Sequence, residues 1–184
     1  MGWSFEYHYG ADKKYVKETL DSYYTWEKED GTKIRLLKST IVGSTYYGAV
    51  ETVYPDGKRD VIAVVNLLSI RKDEWGYKGM DETMNPYRYD CPESILKLLT
   101  ETDSDYANEW RAKCREYTKR KKALKDCSVG TKIKFPWGDS ILVCEKQRAM
   151  YQFKTEWWLV VGEDFNGYRV KKKDIPVFDY RIVG

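Results

Sequence analysis

The chain has 184 residues, of which 33% are charged, 42% hydrophobic and 15% aromatic, and its formal net charge is +3 at pH 7. This length suits one domain, or one domain with a small second module, and the apolar content excludes a wholly disordered protein. No apolar run is long enough to cross a membrane, and the opening MGWSFEYHYG lacks the basic and apolar regions of a signal peptide. We therefore expect a protein of the cytoplasm.

The first predicted elements are a strand and a helix. Bulky aromatic residues alternate with small or polar ones over residues 3–9, which is the period of a half-buried strand. Asp12 is a favourable N-cap, and apolar residues then recur at helical spacing, so we predict a helix over residues 13–26.

Three strands are predicted next, at residues 33–42, 44–54 and 59–70, because these segments are rich in β-branched and aromatic residues. A Pro-Asp-Gly turn joins the second strand to the third and makes them antiparallel neighbours. Residues 61–65 are apolar without alternation, which predicts a central strand that is covered on both faces.

Residues 76–94 follow neither period and predict an irregular connection rich in acids, tyrosines and prolines. The wider segment 73–105 has nine acidic side chains against three basic ones, a net charge of −6. Asp90 and Glu93 have the spacing of a capping box, with Pro92 in the first turn of a short helix.

A longer helix is predicted from about Thr102 or Ser104 to Lys125. At 100° per residue, one side of it collects apolar residues that are expected to pack on the rest of the domain. These residues are Tyr106, Trp110, Cys114, Tyr117 and Leu124. A neighbouring stripe, called the basic stripe below, consists of Arg111, Arg115, Lys119 and Lys122.

From Cys127 onward, short β segments alternate with turns, including predicted elements at residues 150–153 and 164–167. Five or six strands in so short a segment predict a small barrel, SH3-like or OB-like. Within it, the adjacent Trp157 and Trp158 must face opposite sides of a strand, so we expect one in the core and one exposed. The fold class is therefore α+β: an antiparallel sheet with packed helices in residues 1–126, then a β-barrel-like module in residues 127–184.

No motif indicates catalysis. His8 is the single histidine, the glycine spacings match neither nucleotide-binding fingerprint, and the four cysteines form no Cys-x-x-Cys pair. Asp90 and Glu93 are expected to serve helix starts, which leaves Asp81 and Glu82 without a partner for acid–base work or metal binding. We expect no enzyme, no cofactor and no metal.

Five segments carry a resemblance to a known family: MGW, STYYGAVE, GYKGMDET, YDCPESILKLLT and EWRAKC. Together they resemble a family of small proteins, largely of unknown function, that phages, plasmids and integrative elements of gut Firmicutes and other bacteria carry. The similarity spans most of residues 1–120, and the family includes an anti-CRISPR protein that inhibits Cas9. The resemblance implies a counter-defence protein from a mobile element, with a bacterial defence nuclease and its guide RNA as partner, and it assigns no catalytic residues.

Two sets of residues are the candidate contacts for such a partner. The acidic, tyrosine-rich set suits the positive nucleic-acid channels of Cas9; it consists of Asp81, Glu82, Tyr87, Tyr89 and Asp90. The basic set suits phosphates of RNA or DNA; it consists of the basic stripe together with Lys171, Lys172 and Lys173.

Two other functions remain open at this stage. The chain has the charge of a nucleic-acid-binding accessory protein in its C-terminal part, where residues 127–184 hold ten basic and seven acidic side chains. A binder or hydrolase of a small nucleotide signal would need a pocket that contains tyrosines and Arg88. Either a monomer or a dimer fits the sequence.

Overall fold

The computed structural model describes residues 2–149, 154–160 and 168–183. The chain divides into two compact units, Met1–Glu116 and Tyr117–Gly184. This division lies before residue 126, where the sequence predicts the boundary, because the last turns of the long helix pack on the second unit. The elements predicted at residues 150–153 and 164–167 lie outside the described residues.

Unit 1 contains a six-stranded sheet in which all neighbouring strands are antiparallel. The strand order is β1-β6-β5-β4-β3-β2. The strands are β1 (Ser4–Tyr7), β2 (Trp26–Glu27), β3 (Lys33–Val42), β4 (Thr45–Val53), β5 (Arg59–Ile70) and β6 (Glu74–Asp81). The three strands predicted from β-branched and aromatic runs are β3, β4 and β5, and the turn between the last two has Gly57 at positive φ as predicted.

One face of this sheet is covered by α1 (Lys13–Tyr23). Asp12 caps the helix as predicted, because its carboxylate accepts a hydrogen bond from the Tyr15 backbone N–H at 2.8 Å. The helix ends three residues earlier than predicted, since Trp26 already belongs to β2. Its buried residues Val16 and Leu20 pack into a core with apolar side chains of β4, β5 and β6.

The opposite face is covered by α2 (Glu93–Leu96) and by the first turns of α3 (Asp105–Asp126). There Ile95, Leu96, Trp110 and Cys114 pack against alternate residues of β4 and β5. Strand β5 is thus buried on both faces, as its uninterrupted apolar run predicts.

The prediction of an irregular connection over residues 76–94 is wrong for its first part. Residues 74–81 form β6, in which Trp75 and Tyr77 point to the α1 face and pack there. The alternation is hard to see in the sequence because Gly76 and Gly79 interrupt it. A 3-10 helix, Glu82–Met84, follows, and the irregular chain begins only after it.

The predicted capping box is also wrong. Helix α2 begins after Pro92, which makes no side-chain cap, while the Asp90 carboxylate accepts a hydrogen bond from the Tyr47 hydroxyl. For α3, Ser104 is the residue whose hydroxyl accepts from the first turn, at 3.3 Å from the Ala107 backbone nitrogen.

Unit 2 contains a five-stranded antiparallel sheet in the order β10-β9-β8-β7-β11. The strands are β7 (Lys132–Trp137), β8 (Ser140–Arg148), β9 (Thr155–Leu159), β10 (Arg169–Val170) and β11 (Arg181–Val183). Leu124 of α3 packs with Ile133, Phe135, Cys144 and Trp157 in its core. The chain is therefore α+β. No helix within the described residues is both long and apolar enough to cross a membrane.

Candidate functional site

The three acids of the predicted partner-binding set make contacts inside unit 1. Asp81 accepts hydrogen bonds from the backbone and the hydroxyl of Thr83, and Asp90 accepts one from the Tyr47 hydroxyl. Glu82 is fully buried. These carboxylates hold the local chain together, so the acidic character of this segment is largely structural.

Glu82 and Arg111 form a buried bidentate ion pair. The Arg111 Nε and Nη2 groups donate to the two Glu82 oxygens at 2.7 and 2.6 Å, and Nη1 donates to the Thr100 carbonyl at 2.6 Å. The Ala63 backbone N–H also donates to Glu82, at 3.3 Å. Both predictions for these residues are therefore corrected: Glu82 is not free to contact a protein, and Arg111 is not free to contact phosphate.

The tyrosines of the predicted set differ in their surroundings. Tyr87 is 61% exposed, and Met84 beside it is 47% exposed. Tyr89 is half-buried, and the Lys113 Nζ lies 5.6 Å from the centre of its ring. Tyr87 is thus the member of the set that is most available to a partner.

A second exposed apolar surface, which the sequence does not predict, lies on β1. Its aromatic residues Trp3, Phe5, Tyr7 and the following Tyr9 are 44%, 53%, 81% and 68% exposed. We call these four residues the aromatic edge. The rings of Trp3 and Phe5 stack at a centroid distance of 5.7 Å and an interplanar angle of 19°. Side chains of this size in water are typical of an interaction surface.

The aromatic edge is exposed because the polar residues between its members face α1. The Tyr23 hydroxyl of α1 donates to the Glu6 carboxylate at 2.6 Å, which raises the pKa of Tyr23 to about 12. His8 stacks on Tyr15 with ring centroids 3.9 Å apart. The sequence predicts a half-buried strand with its aromatic side inward, whereas the structure turns Glu6 and His8 toward α1 and leaves the aromatic side exposed.

Gly76 of β6 fixes the position of the aromatic edge. It is paired with Phe5, and a side-chain Cβ at this position would lie 2.4 Å from Phe5 Cδ1 and 2.7 Å from the Ser4 carbonyl oxygen. The ring of Phe5 therefore lies against the Gly76 backbone, where a larger residue would clash with it. About half of Phe5 nevertheless stays in solvent, since the residue is 53% exposed.

The remaining residues of the basic stripe are exposed. Arg115 lies in unit 1, with its Nε 3.9 Å from a Glu93 oxygen, a long contact between two exposed side chains. Lys119 and Lys122 lie in unit 2 and are exposed.

Unit 2 contains a cavity of about 310 Å³ with a strongly basic wall. We call it the basic cavity. Its charged lining residues are Lys125, Lys146, Glu156, Arg169, Lys171 and Lys172, and its apolar ones are Leu124, Trp157 and Val170. All three lysines predicted at residues 171–173 are exposed, and two of them, Lys171 and Lys172, line this cavity.

Lys146 has a structural task in this cavity. Its side chain is buried, and its Nζ donates to the backbone carbonyls of Lys125, at 2.7 Å, and of Cys127. These carbonyls belong to the end of α3, where a helix has unpaired acceptors and favours a cation.

The two adjacent tryptophans of β9 face opposite sides, as predicted. Trp157 is buried in the core of unit 2, and Trp158 is half-buried rather than exposed. The most exposed tryptophan in unit 2 is Trp137, at 53%.

His8 and the cysteines are side chains of the types most often used in nucleophilic catalysis. His8 is exposed and stacks on Tyr15, and the described residues hold no group of His, Cys, Asp and Glu that could bind a metal ion. All four cysteines are free thiols. Burial raises the pKa of Cys114 to about 12 and of Cys144 to about 11, which keeps these thiols protonated and unreactive at neutral pH.

Comparison with known proteins gives one match. Residues 101–137 match a family model described as a domain of unknown function, DUF6927. The matched segment contains α3 and β7 and covers a minority of the chain. No curated protein and no solved structure matches the chain.

Proposed function

We propose that this chain is a non-enzymatic binding protein that docks on a partner protein through the aromatic edge of unit 1. The observation that carries this function is the exposure of Trp3, Phe5, Tyr7 and Tyr9 on a strand at the end of a sheet. Tyrosine and tryptophan are enriched among the residues that contribute most to protein–protein binding energy. A sheet end also offers backbone hydrogen-bonding groups to an incoming strand.

The first partner to test is a bacterial defence nuclease, Cas9 with its guide RNA. The resemblance of residues 1–120 to mobile-element proteins supports this choice and makes the chain a counter-defence protein of the bacterial cytoplasm. Charge supports it as well, since unit 1 presents exposed acids to the positive channels of such a nuclease. They include Asp73, Glu101, Asp103 and Asp105.

We also infer that unit 2 is a small barrel of the SH3-like or OB-like type. Its short antiparallel strands, its sequential pairing from β7 to β10 and the return of β11 to β7 support this assignment. Small barrels of this type often bind ligands on their surface, so we expect unit 2 to contact the partner in addition to unit 1.

The experiment is a cleavage assay with purified Cas9–guide complex, run together with co-elution on a sizing column. We expect the wild-type chain to inhibit cleavage and to co-elute with the complex. The double variant Phe5→Ser/Tyr7→Ser is expected to inhibit at least roughly tenfold more weakly, because two exposed aromatic contacts are lost.

The matched control is Trp26→Ser/Leu37→Ser, which removes two apolar side chains that are 49% and 44% exposed on β2 and β3, at the end of the same sheet opposite β1. It should inhibit like the wild-type chain. Absence of inhibition and of co-elution for the wild-type chain would reject Cas9 as the partner. Equal inhibition by both double variants would reject the aromatic edge as the docking surface.

A further inference from the structure

The basic cavity of unit 2 gathers cations for which its described lining residues supply a single carboxylate. Five of its lining residues are basic and one is acidic. The single acid, Glu156, already pairs with Arg169 at 2.8 Å. The described contacts therefore leave Lys125, Lys171 and Lys172 without a carboxylate partner among the residues that line the cavity.

Stabilisation of the end of α3 does not explain these lysines. Lys146 already donates to the Lys125 and Cys127 carbonyls, and its side chain is buried in the position that a helix-capping cation needs. Additional cations beside it add repulsion between like charges rather than new hydrogen bonds to the helix.

The surroundings of Lys172 show this repulsion. Burial lowers the pKa of its ammonium group, and the nearby charges of Lys146, Lys125 and Lys121 lower it further. Asp126 acts in the opposite direction but does not cancel these effects. An anion placed among these ammonium groups would remove a cost that the folded chain carries without it.

The shape of the cavity suits a small anionic ligand. Its volume of about 310 Å³ lies at the lower end of the range for ligand sites. Leu124, Trp157 and Val170 form its apolar wall, and the exposed Lys125, Lys171 and Lys172 form its charged one. Lys125, Lys171 and Lys172 can each donate to phosphate oxygens through a charged ammonium group.

We propose that the basic cavity of unit 2 is a binding site for a phosphate group, with Lys125, Lys171 and Lys172 as the contacting residues. Phosphate binding here goes beyond the docking function of the aromatic edge and does not depend on it. The phosphate can belong to a nucleic-acid backbone or to a small phosphorylated molecule, and both have the same contact chemistry.

The test is calorimetric titration of the full chain at constant ionic strength, with chloride as the reference anion. The probes are inorganic phosphate, AMP and a short single-stranded oligonucleotide. We expect Lys172→Gln to bind the tightest of these probes about tenfold more weakly, since one charge-assisted hydrogen bond is lost. Lys172→Arg, which keeps the charge, should bind within a small factor of the wild-type chain.

Lys122→Gln is the matched control, because it removes the same charge from an exposed lysine of the same unit. Lys122 does not line the cavity. It should leave binding of inorganic phosphate and AMP unchanged. Thermal unfolding of each variant verifies that it is folded. If Lys172→Gln does not fold, Lys125→Gln takes its place in the titration.

The order of affinities identifies the source of the phosphate. Tighter binding of the oligonucleotide than of AMP, with a steep fall as salt rises, supports a nucleic-acid backbone. AMP binding as tight as the oligonucleotide, or tighter, supports a small phosphorylated ligand. The site is rejected if no probe binds more tightly than chloride, or if Lys122→Gln weakens binding of inorganic phosphate and AMP as much as Lys172→Gln does.

Discussion

The two units treat charge in opposite ways. In unit 1 the central arginine, Arg111, meets Glu82 in a buried bidentate pair, and the acids Asp81 and Asp90 accept hydrogen bonds from neighbouring hydroxyls. In unit 2, Lys146 caps a helix end, while Lys125 and Lys172 lie beside it without a carboxylate of the cavity wall to oppose them.

This difference separates charges that serve folding from charges that are available to a ligand. A buried ion pair whose hydrogen bonds are all made has nothing left to offer a partner. The cations around Lys172 repel one another and lower its pKa, so this arrangement reduces the stability of the fold. Perturbed pKa values of this kind are common at functional sites. In the sequence the two kinds of charge look alike, because the residues that decide the difference are far apart along the chain.

The largest effect is expected from breaking the buried pair. Arg111→Met leaves the Glu82 carboxylate buried and without its cation, so we expect the free energy of unfolding to fall by about 3–5 kcal/mol. Urea unfolding followed by circular dichroism measures it. Arg115→Met is the control, because its exposed contact with Glu93 is worth at most about 1 kcal/mol. Equal losses in the two variants would contradict the structural role of the pair.

A smaller effect is expected from removing the helix-capping lysine of unit 2. Lys146→Met takes away two hydrogen bonds to the carbonyls at the end of α3, and we expect a loss of about 1–3 kcal/mol in the free energy of unfolding. The exposed Lys134→Met is the control and should unfold like the wild-type chain. An unchanged unfolding midpoint for Lys146→Met would contradict this structural role and would group Lys146 with Lys125 and Lys172 as a lysine available to a ligand.

The smallest effect, and one of opposite sign, is expected at Lys172. Its pKa is below the ordinary value because burial and neighbouring lysines disfavour the protonated form in the folded chain. Its charge therefore destabilises the fold at neutral pH, and this contribution disappears as the pH rises through the folded-state pKa. Lys172→Gln should be as stable as the wild-type chain, or slightly more so, at pH 7.

Comparing the stability of Lys172→Gln and the wild-type chain at alkaline pH tests whether the charge of Lys172 causes the difference. The stability difference between Lys172→Gln and the wild-type chain should shrink there, because the wild-type lysine also loses its charge. Thermal unfolding of both proteins at neutral and alkaline pH measures it. A Lys172→Gln variant that is clearly less stable at pH 7 would show that Lys172 has a structural partner.

The sequence predicts the centre of the fold well and its ends poorly. Strands β3, β4 and β5 carry strong local signals, and the Asp12 cap and the Gly57 turn are local features that tertiary contacts do not override. Strand β6 is missed because its glycines hide the alternation, although Gly76 is there to receive the ring of Phe5.

The candidate sites depend on contacts between distant residues. Glu82 and Arg111 are 29 positions apart, and nothing local in either one indicates that they pair. The basic cavity joins lysines from the end of α3, from β8 and from the segment after β10. The aromatic edge has a clear alternation, but alternation alone does not say which side of a strand at the end of a sheet faces the covering helix.

The most direct test of the docking function is hydrogen–deuterium exchange of the chain, measured alone and with the purified Cas9–guide complex. We expect slower exchange of the peptide that contains residues 3–9 and of the peptide that contains Tyr87, with little change over β3. Failure to form a complex, or a complex in which residues 3–9 exchange as fast as in the free chain, would contradict it.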